Sequence, residues 1–219
     1  MCKQLDAETY TDASVIKAAG QFVPIKVNAK KDGKEIADHY DVHSFPRIKF
    51  VDANGDVFGE IIGFLPPKDF IEAMTTAQEI YKDYPAAKKT IARNPNDGAA
   101  NVLMARVDAV RKDAKSAAAA LSRAEAAHYH GSDFAKGCNA VGDVYQMGSD
   151  FKTAIGYFKK GLDASTSVAD KAYSLVSIMS CYDSEHDMDN AKKYAKQLKA
   201  LVGAPKDYVD YADEILGGK

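Results

Sequence analysis

Three alanines, Ala117, Ala154 and Ala191, stand at equal intervals of 37 residues, each at the centre of one pattern. The central copy reads Val141-Gly142, Tyr145, Phe151, Ala154, Phe158 and Leu162. Upstream stand Met104-Ala105, Asp108, Ala114, Ala117, Leu121 and Ala124, and downstream Ile178-Met179, Tyr182, Met188, Ala191, Ala195 and Leu198. Small residues let two helices approach, and larger ones fill the next groove. Each helix pair then buries its apolar face only by stacking on a neighbour. After Lys68 no segment carries a strand signal, and apolar residues recur at helical spacing. Asn94-Pro95-Asn96-Asp97-Gly98 and Gly203-Ala204-Pro205 supply breaks.

The central copy resembles a tetratricopeptide repeat, a helix-turn-helix unit with a small residue at the crossing and an aromatic at the turn. That family's period is about 34 residues, so each linker here is slightly long. Gly161 stands where the repeat usually has Ala. The resemblance implies an all-helical array over residues 81–219 whose groove takes a protein or peptide client. A generic helical bundle is the alternative. Some such arrays grip a C-terminal carboxylate with Lys and Asn on their first helices. The matching places hold Asn139 and Asp143 in the central copy, and Val176 and Ser180 in the last. Asp143 repels a carboxylate, which disfavours binding of that kind. The pairs Lys159-Lys160 and Lys192-Lys193 read as solvated faces.

The first 80 or so residues mix helix and strand signals. Gln4–Thr9 reads as the tail of a helix. Thr11 or Asp12 can cap a second helix through Ala19, because a short side-chain oxygen accepts an orphan amide. Gly20 suits a left-handed exit. Phe22–Val27, rich in β-branched and aromatic residues, predicts a strand, as do Arg47–Val51 and Val57–Ile62. The expectation is one sheet made from all three. Gly33–Tyr40 reads as a short helix, and Asn54-Gly55 as a tight turn. Pro66-Pro67 opens a helix, which can run across a boundary near Gln78–Pro85.

This front half resembles thioredoxin-like domains. The residues that carry the resemblance are Cys2-Lys3-Gln4-Leu5-Asp6, Phe22–Val27, Tyr40-Asp41-Val42, Ser44-Phe45-Pro46 and the hairpin from Gly55 to Gly63. In that family a Cys-x-x-Cys-Lys motif opens a helix. A later Tyr-x-Val-x-x-x-Pro segment places a cis proline beside the active site. The resemblance implies a thiol–disulfide oxidoreductase parent, with Cys2 as the catalytic position and Phe45 and Pro46 as the substrate-binding surface. Two departures qualify it. The strand that precedes the motif in the family, and its first cysteine, are absent, so Cys2 matches the second, resolving cysteine. Arg47 replaces the Thr often found beside the cis proline. The fold class expected for the whole is therefore α/β plus all-α: an incomplete thioredoxin-like domain over residues 1–80, then the helical array. Either strands 22–27 and 47–51 pair directly, or another chain fills the gap, which allows association through the incomplete sheet.

Composition narrows the function classes. The net charge of −2 over 219 residues leaves no electrostatic footprint for nucleic acid. No apolar run approaches a membrane span. Read from Met1, the polar start carries no secretory signal, so the expectation is a cytoplasmic chain; a start further upstream leaves a periplasmic or secreted one open. The other cysteines, Cys138 and Cys181, lie on first helices of repeats and read as small buried apolar residues. His39 and His43 have a metal-compatible i,i+4 spacing, yet no third ligand is evident. His128 and His130 lack converging ligands as well. No cofactor and no metal is expected. Turnover needs one thiol to attack and a second to release the mixed disulfide. With one motif cysteine, the sequence leaves the enzyme assignment open, and a non-catalytic interaction scaffold is the alternative.

Overall fold

The computed structural model describes residues 1–217. The chain divides into two compact units, Met1–Lys82 and Asp83–Lys219.

In the first unit, α1 (Cys2–Gln4) continues into a π-helical turn, Leu5–Thr9, with Leu5 and Thr9 buried. Asp12 caps α2 (Ala13–Ala19) by accepting the amides of Ser14 and Val15. Gly20 leaves α2 with φ −59°, a right-handed exit rather than the left-handed one expected, because its amide reaches back to Lys17 O in a tighter last turn. After α3 (Lys34–His39), strands β1 (Arg47–Val51) and β2 (Val57–Ile62) pair antiparallel, with a bulge between Phe50 and Val51. Asp52 Oδ1 accepts the amides of Asn54 and Asp56 and shapes the turn, where Gly55 takes φ +84°. Helix α4 (Pro67–Arg93) then turns Phe70, Met74, Ala77 and Ile80 inward. They share the unit's core with Leu5, Val15, Phe50, Phe58 and Ile61.

The third expected strand does not form. Among the described residues the sheet has two strands, and residues 22–27 belong to neither. Val23 and Ile25 are 87% and 79% exposed. From Val23 to Val27 no backbone group finds a backbone partner among the described residues, and Pro24 has no amide to offer. Phe22 is half-buried, its ring 5.4 Å from that of Phe50. A run with strand propensity becomes a strand only beside another strand. The central strand that the resemblance puts beside this run has no counterpart in residues 1–21, and 22–27 does not pair with 47–51.

The second unit holds α5 (Gly98–Val110), α6 (Ala114–Ala126), α7 (Phe134–Met147), α8 (Phe151–Ala164), α9 (Val168–Ser184), α10 (Met188–Ala200) and α11 (Lys206–Gly217). Helices pack as α5–α6, α7–α8 and α9–α10, while α5–α7 and α7–α9 make consecutive first-helix contacts and α11 closes on α10 and α9. One turn recurs. Lys112, Ser149 and His186 take φ +62°, +62° and +59°. Each precedes an aspartate, Asp113, Asp150 or Asp187, whose side chain caps the next helix through the amide of Ser116, Thr153 or Asn190. Every member of these sets lies 37 residues from the next. Ala117, Ala154 and Ala191 are all fully buried.

Two glycines explain the central pair. A Cβ on Gly142 would meet the Phe158 ring at 2.5 Å, so only glycine lets that ring lie against α7. A Cβ on Gly161 would meet Asn139 Oδ1 at 2.4 Å. The departure from Ala at Gly161 is thus the space that Asn139 fills.

Candidate functional site

In the first unit, three separate segments converge. Phe45–Pro46 is a cis peptide. Pro46 O accepts the Gly63 amide at 3.0 Å, which ties the loop before β1 to the residue after β2. A Cβ built on Gly63 would lie 3.7 Å from Met1 Sδ, so the start of α1 sits against the same loop. Thr9 Oγ1 donates to Leu65 O at 2.6 Å and holds the π-turn there. Cys2 is exposed at the start of α1 and Phe45 is 46% exposed, so both face solvent. Lys26 Nζ pairs with Asp6 Oδ1 at 2.6 Å. Tyr10, raised above its ordinary pKa first by burial and then by Asp6, also lies within electrostatic reach of Cys2. The unit thus carries an exposed thiol at the start of α1 and, separately, an exposed Phe45 before the cis proline.

A family model for a thioredoxin-like domain matches residues 1–78. That span is just over a third of the chain. The thioredoxin-like segment thus includes Cys2, the cis proline, the hairpin and the start of α4. Searches of the curated proteins and of the solved structures found no match.

Arg47, the departure beside the proline, reaches across the hairpin. Its Nη1 donates to Glu60 Oε1 at 3.0 Å, and its Nη2 donates to Ser44 Oγ at 2.9 Å. Lys49 Nζ meets the same Glu60 oxygen at 2.6 Å, with all three side chains about nine-tenths buried. None of the motifs in the sequence names this cluster. Its signal was present: once the Asn54-Gly55 turn sets the register, Lys49 faces Glu60 directly.

In the helical unit, Cys138 and Cys181 are buried, and burial pushes both thiols up to about 12. Neither is a thiolate near neutral pH. His39 lies edge-on to Tyr40, and His43 Nε2 contacts Asp41 Oδ1 at 2.7 Å. His128 takes φ +52° as its helix ends. Among the described residues no group of three or more His, Cys, Asp or Glu is placed to hold a metal, and no helix is long and apolar enough to cross a membrane.

First helices also meet through polar side chains. Ser174 Oγ hydrogen-bonds Asn139 Oδ1 at 2.8 Å, and Gln146 Nε2 donates to Ser180 Oγ at 3.3 Å. Tyr173 lies across Asp143, 2.8 and 2.9 Å from its two oxygens. Burial raises the Asp143 pKa to about 7, against the opposing pull of that hydrogen bond. Within the pairs, two tyrosine stacks repeat at the 37-residue interval: Tyr145 on Tyr157 at 5.7 Å and Tyr182 on Tyr194 at 5.8 Å. The repeat pattern marks Asp143 as a groove position but does not reveal its tyrosine partner.

Proposed function

We propose that this chain couples a redox-derived thioredoxin-like domain to a tetratricopeptide-type array that binds a protein or peptide client. Its parent activity is thiol–disulfide exchange, with Cys2 as the reacting thiol and Phe45 and Pro46 as the client surface. The observation that carries this reading is the exposed Cys2 at the start of α1, next in the chain to Met1, whose sulfur lies near Gly63, the residue tied to Pro46. The match over residues 1–78 supports it. The repeat reading is supported by the recurring turns, caps and buried alanines.

The chemistry is one half of a dithiol cycle. The Cys2 thiolate attacks one sulfur of a client disulfide, forming a mixed disulfide. The other client sulfur leaves as a thiolate and takes a proton from solvent. Release then needs a second thiol. Cys138 and Cys181 are buried and protonated, so this chain holds the client until an external thiol arrives. The second reading, a non-catalytic interaction scaffold, is favoured by that same shortage of a resolving thiol. The exposed Val23 and Ile25 add a surface through which copies associate by strand addition.

Oxidised glutathione separates the readings. Intact-mass spectrometry should find one glutathione per chain, absent in Cys2→Ser. No adduct at Cys2 supports the scaffold. Multiple turnovers of insulin reduction would mean a resolving partner has been overlooked.

A further inference from the structure

The helices of the second unit segregate charge. The second helices of the pairs, α6, α8 and α10, carry nine lysines and arginines against three carboxylates, whereas the first helices, α5, α7 and α9, carry three against four. The second helices are thus positive in a chain whose net charge is −2. A recess of about 370 Å³ lies beside one of them, lined by Lys152, Ile155, Gly156 and Lys159 of α8 and by Tyr182 and Glu185 at the end of α9. That volume is at the small end of pockets that hold a ligand. Gly156 keeps it open, since a Cβ there would meet nothing within 4 Å. Lys159 Nζ donates to the Tyr182 hydroxyl at 3.2 Å and lies 5.7 and 5.9 Å from the ring centres of Tyr182 and Tyr194. The stacked tyrosines therefore hold this ammonium in place. Lys193 Nζ of α10 lies 5.7 Å from the Tyr194 ring centre and brings another ammonium to the same stack. Among the described residues, no carboxylate forms an ion pair with Lys152, Lys159 or Lys193. Glu185 is the one carboxylate on the recess, so its lining keeps a surplus of positive charge.

We propose that the recess between α8 and α9 binds the acidic side chain, aspartate or glutamate, of a partner peptide. The occupant follows from charge complementarity. A basic group would face two ammoniums, and an apolar one would leave their donors unfilled. A carboxylate takes charge-assisted hydrogen bonds from Lys152 and Lys159. The negative charge of the chain as a whole opposes a long polyanion such as nucleic acid. This inference rests on the helical unit being a peptide-binding array, and it names the chemistry that array recognises.

The test titrates the whole chain against a short fluorescent peptide rich in glutamate, read by anisotropy at low salt. The same peptide with glutamine in place of every glutamate is the control. The expected result is saturable binding at roughly 100 µM, at least about tenfold weaker for the glutamine peptide. The double variant Lys152→Gln/Lys159→Gln should weaken the acidic peptide about tenfold. Gly156→Leu fills the recess without changing any charge and should weaken it by about the same factor. Circular dichroism verifies that both variants fold. Binding that survives in either variant, or tighter binding of a single-stranded oligothymidylate than of the acidic peptide, overturns the proposal. Loss in the lysine variant alone would mean diffuse attraction to surface charge rather than a recess. Equal binding of both peptides, unmoved by the variants, rejects the recess and leaves the array reading standing, whereas no binding of either counts against both.

Discussion

The Tyr173 hydroxyl lies within 2.9 Å of both oxygens of Asp143 and joins two consecutive first helices through a carboxylate that burial holds at a pKa of about 7. That value is above the ordinary 3.8, so between about pH 4 and pH 7 the folded chain keeps a proton that the unfolded chain has released. The stability contributed here is complete below the unfolded pKa and is lost as pH rises through about 7. The expected loss is on the order of 2–4 kcal/mol. Urea unfolding of wild type and Asp143→Asn at about pH 5 and pH 8 isolates it. The asparagine variant should lack this slope and gain on wild type as pH rises. Parallel behaviour of the two proteins would show that the carboxylate is solvated.

The three cysteines should separate cleanly by reactivity. Cys2 is exposed, whereas burial raises Cys138 and Cys181 to about 12. An aromatic disulfide reagent near neutral pH should titrate one thiol quickly in the native chain and all three in denaturant. Insulin reduction in a reductase-coupled assay should give no turnover. Two fast native thiols would refute the assignment of Cys138 and Cys181 as inert.

Gly142→Ala should destabilise the helical unit by about 1–3 kcal/mol, because the new methyl must displace the Phe158 ring. Gly156→Ala provides the contrast within the neighbouring helix. Its Cβ meets nothing within 4 Å, so helix propensity should stabilise the chain by roughly 0.5–1 kcal/mol. Paired thermal melts check both signs. Equal effects would mean that the two helices do not cross at Gly142.

Val23 and Ile25 are exposed in a run without backbone partners. Lysine at both positions should reduce concentration-dependent association in light scattering, since edge charges oppose strand addition. Native stability should change little, within about 0.5 kcal/mol, as neither side chain is packed. Association that persists at wild-type strength would place the contact elsewhere.

Much of the fold was legible along the chain. Asp12 caps α2, Asn54-Gly55 turns the hairpin, Asp97 caps α5 after the Asn94-Pro95 break, and Ala117, Ala154 and Ala191 occupy buried crossings. These are local matters, decided by a side chain and the amides two or three residues away, or by which face a small residue occupies. Of the candidate site, the sequence named Cys2, Phe45 and Pro46 singly. What it could not show is Gly63 bonding to Pro46 and Met1 lying near Gly63, contacts between residues far apart in the chain.

Where helices start, where they turn and which apolar faces they bury can be read along the chain, because each depends on spacing within a few turns. Other features depend on residues brought together from distant positions. Phe22–Val27 has the residues of a strand, but a strand is made by hydrogen bonds to a neighbour, and no neighbour stands beside it. Position 161 is a glycine because Asn139 takes the space a methyl would need. Asp143 is an ordinary aspartate until Tyr173, 30 residues on, closes over it and removes the water that would keep its proton acidic.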